Sequence, residues 1–233
     1  MEIIDDPGDI DMISSHKALP LALSTILAFC LIPIFPANAR DPWEYWNEVQ
    51  LKHALKDDLD LKLKTEQKVR NGLTELFLTN FDIGLVYKLN EHFEFGPTYK
   101  YEHHKPSSGD RTDENRFPLE DTFKWSQNDL KFSNRHRISY RDISGDESWR
   151  YRTKIKVARP AQIGNFHFTP FVSEEILYYS EPAGINQNRA VVGFSKKLSK
   201  NTAVDICYIL KSSRSGTDWD KTNAIGLLYN IRF

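Results

Sequence analysis

From residue 59 onward, large apolar and polar side chains alternate at period two in one block after another. Leu59, Leu61 and Leu63 alternate with Asp60, Lys62 and Lys64, and the polar series runs on through Glu66, Lys68 and Arg70. Phe81, Ile83, Leu85, Tyr87 and Leu89 alternate with Asp82, Gly84, Val86 and Lys88. Phe93, Phe95, Tyr99 and Tyr101 alternate with Glu94, Gly96, Thr98, Lys100 and Glu102, and Trp149, Tyr151, Thr153, Ile155 and Val157 with Arg150, Arg152, Lys154 and Lys156. Val204, Ile206, Tyr208 and Leu210 repeat the pattern. Period two puts each set on one face of a strand. Further candidate strands lie near 45–55, 116–127, 130–142, 166–180, 188–199 and 223–233. Most run to about 10–14 residues, the length a tilted strand needs to cross a bilayer.

The final block decides between two all-β architectures. Ile225, Leu227, Tyr229, Ile231 and Phe233 share one face, with Gly226, Leu228, Asn230 and Arg232 on the other. In a soluble sandwich that apolar face needs a cover; in a membrane barrel lipid covers it and the last strand closes on the first. The expectation is an antiparallel transmembrane β-barrel of 10–12 strands. Eleven candidates conflict with the even number usual in single-chain bacterial barrels, so twelve is favoured, with 40–46 as a short extra strand. The connections 56–58, 90–92, 127–129, 162–165 and 199–201 are short. Those at 71–80, 105–115, 143–148, 181–187 and 214–222 are longer, which predicts short periplasmic turns on the Phe233 side and long loops on the other.

The front of the chain fits an envelope address. Residues 18–35 form a nearly uncharged apolar run broken by Pro20 and Pro33, followed by Pro36-Ala37-Asn38-Ala39. This reads as a signal peptide over 1–39 with the barrel domain over 40–233. The acids Glu2, Asp5, Asp6, Asp9 and Asp11 suit no leader, whereas a start at Met12 gives an ordinary basic n-region. Phe29 beside Cys30 argues against lipidation, and Cys207 then has no partner for an internal disulfide. Removing five acids and one Lys from a chain of 32 acidic and 31 basic residues leaves a net charge of about +3, too even for nucleic-acid binding. Mean hydropathy is −0.53, and periodicity, not hydropathy, carries the membrane signal.

Trp46-Asn-Glu, Glu66-Gln-Lys-Val-Arg70, Gly84-Leu-Val-Tyr-Lys88, Asn134-Arg-His-Arg137, Arg150-Tyr-Arg152 and Glu174-Glu-Ile-Leu177 together resemble the outer-membrane barrel family called domain of unknown function 2490. The resemblance spans nearly all of 40–233. It implies a barrel in the outer membrane and no particular reaction.

Candidate chemistry lies on the inward face. Arg135, Arg137, Arg141, Arg150, Arg152, Lys154 and Lys156 fall on adjacent strands, with Glu66, Arg70, Glu94, Glu102, Glu120 and Glu175 on the same side. They suit either an electropositive, anion-selecting lumen or a ladder of ion pairs that fills a barrel of this width. The filled lumen is the favoured reading. His136 and Ser139, three apart, point to opposite faces, which disfavours a lipid hydrolase. His103 and His104 also face opposite ways, so no metal site is expected. Trp43, Trp46, Trp125, Trp149 and Trp219 suit interfacial girdles. Tyr229, Ile231 and Phe233 suit the terminal signal read by the barrel-assembly machinery. Outer-membrane lipids and lipopolysaccharide are the expected surroundings. No cofactor or nucleotide motif appears, and the default state is a monomer. The expected role is structural, or a narrow or occluded channel; the rivals are a lipid-modifying enzyme and a soluble periplasmic sandwich.

Overall fold

The computed structural model describes residues 43–71, 74–106 and 110–233; the leader reading falls outside them. Twelve strands follow in order: β1 (Trp43–Lys56), β2 (Leu59–Arg70), β3 (Glu75–Lys88), β4 (Phe93–His104), β5 (Thr112–Gln127), β6 (Leu130–Ile143), β7 (Asp146–Ala158), β8 (Ala161–Ile163), β9 (Phe166–Ser180), β10 (Ala183–Lys197), β11 (Thr202–Ser215) and β12 (Asp218–Arg232). Eleven of them close into a ring, in which β9 pairs with both β7 and β10, and β12 returns to β1. β8 adds no stave. It prolongs β7 along β9, past a break at Arg159-Pro160 where proline lacks an N–H.

The parity problem resolves without a twelfth stave. Residues 43–46 belong to β1 itself, and with an odd count the first and last strands run the same way. They pair in parallel, from Trp43 opposite Asn223 to Lys52 opposite Arg232. All other neighbours are antiparallel. The Phe233 amide donates to the Lys52 carbonyl at 2.9 Å and its own carbonyl accepts from Ala54 N, so the seam is bonded to its end. A closed ring leaves no edge strand, which excludes the two-sheet sandwich.

The long loops expected opposite Phe233 are mostly strand. β3, β5, β7, β10 and β12 run on into those segments and turn over at 144–145, 181–182 and 216–217. Ser144 and Gly145 both take positive φ, 54° and 98°, the pairing of a tight hairpin turn whose twist suits the flanking strands.

The two faces sort as the alternation requires. Phe81, Ile83, Leu119, Ile138, Ile155, Ile206 and Ile225 are exposed on the outer wall. Aromatic pairs bound this belt on both sides. Toward the Phe233 rim, Trp125 stacks on Phe132 at 5.1 Å and Phe166 meets Phe168 at 5.4 Å. Toward the Trp43 rim, Tyr99 meets Phe117 at 5.4 Å and Tyr140 meets Trp149 at 5.5 Å. Apolar belts flanked by aromatic girdles mark a lipid-facing wall. Trp46 departs from the girdle expectation. It shares the inward register of Glu44, Glu48 and Gln50 and is buried.

Candidate functional site

The interior is charged over most of the ring, with an apolar cluster of Trp46, Phe171, Cys207, Ile209 and Ala224 contributed by β1, β9, β11 and β12. Every second residue of β2, β4, β6 and β7 points inward, which turns their sequence alternation into stacked tiers of Lys, Arg and Glu. Glu175, 4% exposed on β9, gathers three guanidinium groups: Arg152 Nε at 3.1 Å, Arg189 Nη1 at 3.2 Å and Arg135 Nη2 at 3.3 Å. Glu120 on β5 takes a hydrogen bond from Arg137 and faces Lys62 Nζ at 3.5 Å. Glu114 accepts from Arg141 Nε at 2.6 Å and Arg116 Nε at 2.6 Å. Lys100 lies among Glu102, Asp82 and Glu66 at 3.3, 3.7 and 4.0 Å.

Several of these links span the lumen, not just neighbouring strands. Lys62–Glu120 joins β2 to β5, Lys156–Asp205 (3.6 Å) joins β7 to β11, and Lys211–Glu44 (2.7 Å) joins β11 to β1. Side chains therefore meet across the barrel. Trp46 is a hub that sequence reasoning missed. Its ring lies 3.5 Å from Lys68 Nζ and 5.1 Å from Arg189 Cζ, and its Nε1 donates to Glu44 Oε2 at 2.7 Å. Strand parity from Glu48 would have turned it inward. Tyr179 does the same for Arg150, which donates to its hydroxyl at 3.4 Å, and for Arg141, 5.1 Å above its ring.

Of the charges expected in the lumen, Glu66, Glu102, Arg135, Arg137, Arg141, Arg152 and Glu175 come together in these linked pairs. Arg150 finds Tyr179 and, among the described residues, no carboxylate. Two lie at the rims instead: Arg70 binds Glu75 (3.1 Å) and the carbonyls of Lys105 and Pro106, and Glu94 binds Lys124 at 2.6 Å. Lys154 makes no ion pair among the described residues.

Lys154 instead lines a cavity of about 350 Å³ toward the Phe233 rim. Six bases border it, Lys52, Lys62, Lys124, Arg135, Lys154 and Lys156, against the carboxylates Glu94 and Glu120. Gly96 also borders it, and a Cβ there would lie 1.8 Å from the Leu85 carbonyl oxygen, so this close approach of β3 and β4 requires glycine. The cavity can hold an anion, and its lining supplies the donors to bind one.

The remaining candidates separate. Ser139 is inward and buried while His136 faces out, bonded at Nδ1 to Tyr151 Oη at 2.6 Å, so the two never meet. His103 faces outward and pairs with Asp113 at 2.6 Å; His104 turns in beside Phe77. Among the described residues no group of His, Cys, Asp and Glu could hold a metal ion.

A closed ring with an apolar, girdled exterior and an ionic interior defines a transmembrane β-barrel. The chain belongs to the family described as "Protein of unknown function (DUF2490)", whose model matches residues 43–222. Similar solved structures include the beta domain of the Bordetella autotransporter Brka (11% identity, 83% of this chain and 99% of the other, TM-score 0.49). They also include the NanC porin (14%, 83% and 98%, 0.47) and the KdgM porin in complex with disordered oligogalacturonate (16%, 73% and 90%, 0.42). Curated proteins give no match.

Proposed function

We propose that this barrel resides in the outer membrane and acts as a narrow, anion-preferring channel, constricted at mid-height by its own ion pairs. The observation that carries this reading is the cavity near the Phe233 rim, where six bases outnumber two carboxylates. It continues inward to the guanidinium cluster on Glu175 through Arg135, which lines the one and binds the other. Fixed positive charge lowers the barrier for anions and raises it for cations. The cross-lumen pairs keep the passage too narrow for a general diffusion pore. Buried polar atoms without a protein partner, among them Arg150 Nη2, Ser139 Oγ and Ser173 Oγ, support a hydrated path, since such groups are costly unless water reaches them.

Purified protein in planar lipid bilayers is the test. Small, chloride-preferring conductance steps are expected. The double variant Arg137→Gln, Arg152→Gln loosens the constriction and enlarges the steps. Complete silence from both proteins, each folded by its heat-modifiable migration, would leave a purely structural role.

A further inference from the structure

The outer wall carries polar residues in a place lipid does not favour. Asp121, His136 and Thr153 are direct cross-strand neighbours on β5, β6 and β7, and their row continues through Ile176 to Asn188 on β10. The adjacent row holds Asn134 on β6 and Glu174 on β9. Both rows lie inside the apolar belt. On one side runs Leu119–Ile138–Tyr151–Tyr178, and on the other Trp125–Phe132–Val157–Val172–Val192. The opposite wall is also crossed by a polar row, Asn47–Gln67–Thr79 on β1 to β3, but over these strands it holds no carboxylate, and two rows away Ile231, Leu51, Leu63, Ile83 and Tyr99 are all apolar.

Within the patch, His136 bonds Tyr151 at 2.6 Å and Asn134 at 3.0 Å, Thr153 reaches Asn134 at 3.4 Å, and Asn188 donates to Glu174. Asp121 has no hydrogen bond or ion pair among the described residues. Polar groups in the hydrocarbon region find partners in protein. We infer that this wall is a lateral interface with a second copy of the same chain.

Charge complementarity selects that occupant. The patch contains both carboxylates and their natural donors, so it can pair with itself. A two-fold axis near Thr153 on the middle strand sets the β6 side, with Asn134 and His136, against the β9 side, with Glu174, as an isologous contact requires. Five neighbouring strands cover about 20 Å. Over a belt about 25 Å tall that leaves room for a side-by-side contact centred on β7, where two convex walls approach most closely. A catalytic reading fits less well: Ser139 points inward, and the six polar residues spread over five strands.

Cysteine cross-linking in membranes tests the interface. In a Cys207→Ser background, Thr153→Cys should give a disulfide-linked dimer on oxidation, while Ile225→Cys, exposed on the opposite wall, should not. His136→Leu with Glu174→Leu should keep heat-modifiable folding yet convert the dimer seen by native mass spectrometry into monomer. Equal cross-linking at both positions, a monomeric parent protein, or a foreign protein captured at position 153 would overturn the proposal. So would fatty-acid release from phosphatidylethanolamine vesicles that vanishes in His136→Ala, which would make the patch an enzyme site.

Discussion

Glu175 shows how a single residue sets the interior. One carboxylate, almost fully enclosed, balances Arg135, Arg152 and Arg189. Taking it away leaves three guanidinium groups crowded in a space that cannot expand. Breaking a buried ion pair by removing one partner costs about 3–5 kcal/mol, because the remaining charge keeps its desolvation penalty without the attraction. Glu175→Gln keeps the shape and removes only the charge, so a stability loss of about that size is expected. The midpoint of urea unfolding from lipid vesicles measures it; an unchanged midpoint would mean the arginines are already solvated. Trp46 carries a smaller weight of the same kind. Replacing it with Leu removes the ring beneath Lys68 and Arg189, and cation–π contacts contribute about 0.5–2 kcal/mol each. The same urea midpoint should therefore fall by less than in the Glu175 variant.

Strands were the most legible level of this sequence, and their ends the least. Each alternating block from 59 to 233 became a stave, because lipid covers one face while ion pairs, or on β11 and β12 small and apolar packing, fill the other. Beyond the girdles no lipid demands an apolar face, so 75–80 or 218–222 lost the pattern while the hydrogen-bond ladder went on. That is why strand extensions read as loops. The parallel seam was illegible for another reason: alternation says which face a residue takes and nothing about the direction of its neighbour. Closure now depends on β12, whose outward Tyr229, Ile231 and Phe233 lie along the β1 seam. If these residues also carry the assembly signal, Phe233→Ala should leave the equilibrium fold intact and slow its appearance. Pulse-chase sampling of the heat-modifiable form in cells would show a delay, whereas refolding from urea into detergent would not. A delay in both would place the defect in the seam and not in assembly.

At the scale of the whole molecule, the inward charges were legible as a set and their partners were not. Parity placed Arg137 and Arg152 in the lumen, but only the ring's curvature brings Lys62 to Glu120 or Lys156 to Asp205 across it. The same curvature gathers Lys52 and Lys154, from strands on distant parts of the ring, around one cavity. Neither makes an ion pair among the described residues, so in the proposed channel both would act on an entering ion and not on a protein carboxylate. Selectivity should therefore follow these two more than the paired arginines deeper in. In a tenfold potassium chloride gradient, the parent channel should show a reversal potential of the sign set by chloride. Lys52→Glu with Lys154→Glu turns six bases against two acids into four against four. That should bring the reversal potential close to zero or invert it, with little change in step size because the constriction lies elsewhere. If the step size collapses while the sign persists, the selecting charges lie in the Glu175 cluster, and the cavity is a vestibule that concentrates ions without choosing between them.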